Sequence, residues 1–153
     1  MIRVQGGFSL VEVLIVLSVL TILTGTVAGN LFSGMALFEV TGAAEVLASD
    51  IRWLQQVTIN SVNSADEIVV IPELIMQQTA PFGYIIVGQN AVIRAYQFPA
   101  TVKLSNDARH LAFKTSGRPA DGAQLTFALC STRDSRITKK VIVEMITGRV
   151  RIE

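Results

Sequence analysis

Cysteine, histidine and tryptophan each occur once in this chain, proline occurs four times, and only two of its thirteen Lys and Arg residues fall in the first 80 positions. A lone Cys130 excludes an internal disulfide. Its setting in Leu125-Thr126-Phe127-Ala128-Leu129-Cys130 fits the usual role of a small buried hydrophobe. The one histidine, His110, lies in a charged, loop-like stretch with Asp107 and Arg109 and has no Ser or Cys nucleophile motif beside it, so triad chemistry has no support. Cys/His pairs at zinc spacing, an EF-hand loop and a glycine-rich phosphate loop are all missing. The adjacent acids Asp66 and Glu67 read as a solvated strand start. No catalytic residue, metal site or cofactor is therefore expected, and an enzyme is not.

Charge of either sign is absent from Val13 to Phe38. That run exceeds the roughly 20 apolar residues that carry a helix across ~30 Å of hydrocarbon. Just ahead of it stands Glu12, a carboxylate that costs about 2.5–3.5 kcal/mol at bilayer depth and so needs a partner. A cut between Gly7 and Phe8 would place a new α-amine four residues away, ~6 Å of helix rise. The amine of a neighbouring copy would serve equally. An ordinary secretory signal, with Arg3 as its basic region and Thr26-Val27-Ala28 as its cleavage site, does not account for the inserted charge or the length of the run. A plain single-span anchor leaves Glu12 unexplained.

The stretch Gly7-Phe8-Ser9-Leu10-Val11-Glu12-Val13-Leu14-Ile15-Val16-Leu17 resembles the class III signal of type IV pilins and of the pseudopilins of type II secretion and competence machines. The resemblance implies that a prepilin peptidase cuts after Gly7 and N-methylates Phe8, and that Glu12 pairs with a Phe amine during filament assembly. It also implies a single-pass protein of the cytoplasmic (inner) membrane, C-terminus outside, which leaves the lipid for an extracytoplasmic pilus or pseudopilus. Its partners would be other pilin subunits and an inner-membrane assembly platform.

Read in order, residues 1–7 form a leader with one positive charge, and 8–37 form the transmembrane and filament-core helix. Residues 38–61 continue it as an amphipathic half, and 62–153 form a β domain. Val40, Ala44, Leu47, Ile51, Leu54 and Thr58 recur at steps of four and three, the stripe of a helix with one buried face. Glu39, Glu45, Asp50 and Arg52 lie off it, as a solvated face requires. A helix from Phe8 to about Ser61 would be ~80 Å long. Gly25, Gly29 and Gly34 interrupt its middle at about 1 kcal/mol each relative to Ala, and Gly25-x-x-x-Gly29 fits close helix approach in membranes. Many type IV pilins carry a helix-breaking proline near this point, so Gly25 to Gly34 is expected to be an extensible segment.

Past Ser61 the period becomes strand-like. Glu67 to Ile71 is a β-branched run ended by Pro72, and Glu73 to Pro81 reads as an irregular or briefly helical connection. Tyr84–Val87 and Ala91–Tyr96 form a hairpin across Gly88-Gln89-Asn90. Short strands follow at Val102–Leu104 and Leu111–Phe113, then a turn cluster at Ser116–Gly122 and a strand at Gln124–Cys130. A charged loop at Thr132–Arg136 leads to a last pair, Lys140–Ile146 and Arg149–Ile152, around Thr147-Gly148. The fold class is α+β, a long helix followed by an antiparallel sheet system.

Trp53-Leu54-Gln55-Gln56-Val57-Thr58-Ile59, the Phe113–Gly122 segment, Val141-Ile142-Val143-Glu144 and Thr147-Gly148-Arg149-Val150-Arg151-Ile152 resemble the GspH/FimT group of minor pilins and, equally, the competence pseudopilin ComGD. Residues 1–80 carry two Lys or Arg against seven Asp or Glu, a net −5; residues 81–153 carry eleven against five, a net +6. The basic half admits an alternative reading, a minor pilin that binds DNA for uptake. Arg133, Arg136, Lys139, Lys140, Arg149 and Arg151 would then form the phosphate footprint. Gly148-Arg149-Val150-Arg151 matches the C-terminal Gly-Arg-x-Arg of FimT-like DNA-uptake pilins. The same Gly-Arg also occurs in secretion pseudopilins, where Arg would only close the hairpin or pair with a neighbour, and few aromatics are interleaved to stack bases.

Overall fold

The structure, a computed structural model, describes residues 9–61, 71–89 and 91–153, with the backbone alone for 26–33. One helix, α1, runs from Leu10 to Asn60. Its backbone stays helical through Gly25, Gly29 and Gly34, and a Cβ added at Gly25 or Gly34 would meet nothing within 4 Å. The chain divides into two units within this helix, one ending at Met35 and the other spanning Ala36–Glu153. In the first unit every large apolar side chain described, from Leu10 to Leu23, is exposed. Among the described residues no helix is long and apolar enough to cross a membrane; the middle of the uncharged run, 26–33, lies outside the described side chains.

In the second unit the stripe closes on a core. Val40, Ala44, Leu47, Ile51, Leu54 and Thr58 are all fully buried, joined by Ala36, Ala43 and Ala48. Each buried Leu or Ile contributes about 1.5–3 kcal/mol of transfer free energy. Thr58 stays compatible with burial because its hydroxyl donates to the Leu54 carbonyl at 2.9 Å.

Among the described residues, eight strands form two antiparallel four-stranded sheets. The first holds β1 (Glu73–Gln77), β2 (Gly83–Gly88), β3 (Ala91–Gln97) and β5 (His110–Ala112) in the order β3-β2-β1-β5. The second holds β4 (Val102–Leu104), β6 (Leu125–Ser131), β7 (Thr138–Val143) and β8 (Val150–Ile152) in the order β4-β6-β7-β8. Leu74, Tyr84, Ile86 and Leu111 from the first, and Phe127, Leu129, Val141 and Val143 from the second, share one core with the stripe.

The expected hairpin is β2 and β3, turned at Gln89, whose φ is 44°. The segment Glu73–Pro81, expected as a connection, instead opens with β1, the strand that pairs with both β2 and β5. Its alternating burial, with Leu74 and Met76 inward, is masked in sequence by Ile75, an apolar residue on the outward face. The expected run from Glu67 falls, except for Ile71, outside the described residues, as do Asp66 and Glu67 themselves. His110 is no loop residue either. It opens β5, and its Nε2 lies 3.0 Å from the Glu73 carboxylate. Cys130 is buried in β6.

Polar clasps fix the helix to the β domain. Asp50, expected on a solvated face, has a side chain only 16% exposed. It accepts the Tyr84 hydroxyl at 2.8 Å and pairs with Arg94 at 2.7 Å. The Arg94 guanidinium also lies 4.0 Å above the Trp53 ring. Glu39 likewise turns inward, accepting the Thr101 hydroxyl. Further along, the Gln55 amide donates to the carbonyls of Gly117 at 2.6 Å and Gly148 at 3.2 Å. Both turns need glycine, at φ 78° and 67°. A Cβ on Gly148 would also collide with the Gly117 carbonyl oxygen and the Gln55 amide.

Gly148→Ala is expected to cost about 2–3 kcal/mol, joining the ~1–2 kcal/mol of a side chain at positive φ to the loss of a Gln55 hydrogen bond worth ~1 kcal/mol. Gly122→Ala, at φ 63° with nothing within 4 Å of the new Cβ, should cost the backbone term alone. Urea unfolding followed by Trp53 fluorescence compares them, and equal losses would refute the clash.

Burial first, then the hydrogen bond to Asp50, push the Tyr84 phenol far above its ordinary value of 10.0. The folded value is raised, so this stabilisation is complete below the unfolded value, about pH 10, and is lost as pH rises beyond it. Tyr84→Phe should therefore show a shallower fall in stability above about pH 10 than the parent chain; parallel curves would refute this.

Candidate functional site

Ser9 directly precedes α1, and its carbonyl accepts the backbone N–H of Glu12 at 3.0 Å and of Val13 at 3.2 Å. Ser9 thus occupies the cap position and Glu12 the third helical position. Ser9-Leu10-Val11-Glu12 fits the capping-box pattern, a local signal that reading the segment for membrane span alone passes over. The carboxylate is favoured there by the positive end of the helix, by about 0.3–1 kcal/mol. Glu12 is exposed, and with Val13, Val16 and Leu17 it lines a shallow groove along the helix. Among the described residues no cation pairs with it. Gly7 and Phe8 lie outside the described residues. What the helix start offers is an anion on an apolar surface, suited to a single cation delivered from elsewhere.

Some basic residues of the C-terminal half are already engaged by carboxylates, while the β7–β8 register sets Lys140 and Arg151 on one sheet face. Arg151 reaches two carboxylates, Glu144 at 3.5 Å and Glu153 at 3.3 Å, and is about half exposed. Arg149 lies just before β8, exposed, with its backbone N–H bonded to the Thr147 hydroxyl. Lys139 and Lys140 are neighbours on β7, opposite Leu129 and Ala128, so strand alternation sends them to opposite faces. Arg136 is 94% exposed and 3.9 Å from Asp134. Gly148 is required by the Gln55 clasp, and the helix adds a further tie where the Arg52 guanidinium donates to the Val150 carbonyl at 3.2 Å. The Gly-Arg-x-Arg segment is thus held by backbone geometry and ion pairing within the fold. Among the described residues no group of His, Cys, Asp and Glu is arranged to hold a metal ion.

The prokaryotic N-terminal methylation motif matches residues 2–28. No curated protein matches the chain. Two crystal structures of the type IV minor pilin FimU of Pseudomonas aeruginosa (strain PAO1) share the fold. One has a TM-score of 0.53 at 18% identity, covering 74% of this chain and 91% of that one. The other, in a second crystal form, has a TM-score of 0.56 at 19% identity, covering 75% and 88%. The chain therefore carries the N-terminal methylation motif and the fold of the type IV pilin family.

Proposed function

We propose that the chain is a minor pilin subunit. It is made as a precursor held in the cytoplasmic membrane by its apolar helix, with the β domain outside. A prepilin peptidase cuts between Gly7 and Phe8 and methylates the new Phe8 amine. The subunit then leaves the lipid at an assembly platform and enters a filament through its helix, in contact with other pilin subunits. The observation that carries this reading is the methylation motif over residues 2–28, joined by an unbroken helix to a fold shared with a minor pilin.

The physical chemistry supports each step. Leu10 to Leu23 expose apolar side chains that water does not favour. The hydroxyls of Ser18, Thr21 and Thr24 each donate to the carbonyl four residues back at 2.7 Å, so these groups enter hydrocarbon already satisfied. Arg3 in the leader favours a cytoplasmic N-terminus. Glu12, unpaired among the described residues, is answered by the Phe8 amine of its own or a neighbouring subunit. That pairing sets the stagger between copies. Head-to-tail contact of this kind is heterologous and yields open filaments rather than closed rings. The glycines at 25, 29 and 34 supply a stretch that extends when lipid is exchanged for protein neighbours.

Gly7→Ala should leave an unprocessed, membrane-retained chain whose N-terminus by mass spectrometry is Met1. Cleavage near Ala28 instead would mark an ordinary signal peptide and sink the reading. Glu12→Ala should be cut and methylated normally yet be strongly depleted from sheared filaments. Undiminished incorporation would remove the assembly role of the carboxylate.

A further inference from the structure

The uncharged run ends at Phe38, and Glu39 is the first charge that follows it. About 20 helical residues from Val13 cross ~30 Å of hydrocarbon, and the ~5–7 Å of headgroups beyond take four or five more. With the helix across a bilayer, Glu39 stands at the outer rim of the headgroups.

Two hydrogen bonds lead from Glu39 to a basic turn. Its carboxylate accepts the Thr101 hydroxyl, and the Thr101 carbonyl accepts the N–H of Thr132 at 2.7 Å. Thr132 opens the β6–β7 turn, which carries Arg133 and Arg136. The turn has a fixed shape: the buried Ser131 hydroxyl accepts the N–H of Arg133 at 3.1 Å, and the Asp134 carboxylate accepts the N–H of Arg136 at 3.0 Å. Arg133 is exposed and, among the described residues, pairs with no carboxylate. Arg136 is 3.9 Å from Asp134, the outer limit of an ion pair.

Strand and helix agree on the level of this turn. From Thr138, β7 runs ~17 Å to Val143, which pairs with Val150, whose carbonyl accepts the Arg52 guanidinium. From Glu39 to Arg52 the helix rises ~20 Å. The β6–β7 turn therefore lies at the end of the unit where the chain enters at Ala36, and the β7–β8 turn at the other. Beside Thr101, the turns Ala80-Pro81 and Pro99-Ala100 border an open pocket of about 400 Å³, and Phe38 on the helix is 81% exposed. Exposed apolar and aromatic groups next to cations suit the boundary of headgroups and hydrocarbon.

We propose that the β6–β7 turn docks on the anionic phospholipid headgroups of the bilayer that holds the precursor, with Arg133 and Arg136 meeting phosphates. This rests on the reading of the chain as a membrane-anchored precursor. The link through Thr101 to Glu39 selects lipid, because it holds both guanidinium groups at headgroup depth before any other subunit is present. Anchoring makes the contact intramolecular, so about fivefold per arginine is enough to bias the domain toward the surface. The same contacts are given up when the subunit leaves the lipid.

The test uses the full chain reconstituted in vesicles of phosphatidylcholine, with or without phosphatidylglycerol, and Cys130→Ala in every labelled variant. A fluorophore on Ser135→Cys should be quenched by headgroup spin-labelled lipid when phosphatidylglycerol is present. One on Met145→Cys, in the β7–β8 turn, should not. Arg133→Gln with Arg136→Gln should lower the docked-to-free ratio about 25-fold. Salt raised from about 0.1 to about 1 M, which shortens the screening length from ~10 to ~3 Å, should act in the same direction. Trp53 fluorescence of the unlabelled variants should be unchanged, reporting an intact fold. Quenching at residue 135 that ignores phosphatidylglycerol, as a turn reserved for a protein neighbour would show, overturns the inference. So does quenching that survives the double substitution, or equal quenching at residue 145. A chain washed from the vesicles by alkaline carbonate would sink the anchoring reading itself, whereas a retained chain with an unquenched label sinks the docking alone.

Discussion

A helix can be buried by its own domain along one stripe only, and everything in residues 36–153 is arranged around that limit. Val40, Ala44, Leu47, Ile51, Leu54 and Thr58 are closed off from water by strands of two separate sheets. The same helix carries apolar residues on all its faces from Leu10 to Leu23, a surface no single stripe contact could cover. One part of the element therefore answers to its own chain and the other to a partner, lipid or protein. The single carboxylate at Glu12 is where the second part stops being merely greasy and acquires a specific requirement.

The polar contacts of the β domain serve positioning more than net stability. Asp50 gathers Tyr84 and Arg94, and Arg94 covers Trp53, so one partly buried carboxylate ties the β2–β3 hairpin to the helix. Gln55 does the same for the turns at Gly117 and Gly148. Arg151, the residue that most invites a phosphate contact, is occupied by Glu144 and Glu153. Net charge by halves of the chain is thus a poor guide to available charge. What counts is which cations the fold has already matched.

Much of this was legible in the residues themselves. The six stripe positions are an i, i+3/i+4 pattern with no competing period, and all six are buried. The β2–β3 hairpin and β4 stand where β-branched runs and turn residues place them. β1 was hidden because Leu74, Ile75 and Met76 are all apolar, so alternation vanishes when an isoleucine faces outward, and Pro72 and Pro81 frame the segment like a loop. The inward turn of Asp50 and Glu39 depends on Tyr84, Arg94 and Thr101, partners 34 to 62 positions away, which helical periodicity does not see. The division into two sheets rests on pairings such as β1 with β5, and no local signal marks them. At the N-terminus Glu12 stood out by its charge alone, whereas its place in a helix cap needed the observed start at Leu10.

The Gln55 amide spans 62 and 93 positions to its two carbonyl partners. Contacts of such sequence separation are slow to form because the intervening loops must close first. A nascent chain that has not yet released residue 148 lacks half of this clasp and the whole of β8, so the helix's last turns emerge without their native fastening. Acquisition of the native domain is consequently a late event: the residues through β8 must be available before the fold can lock.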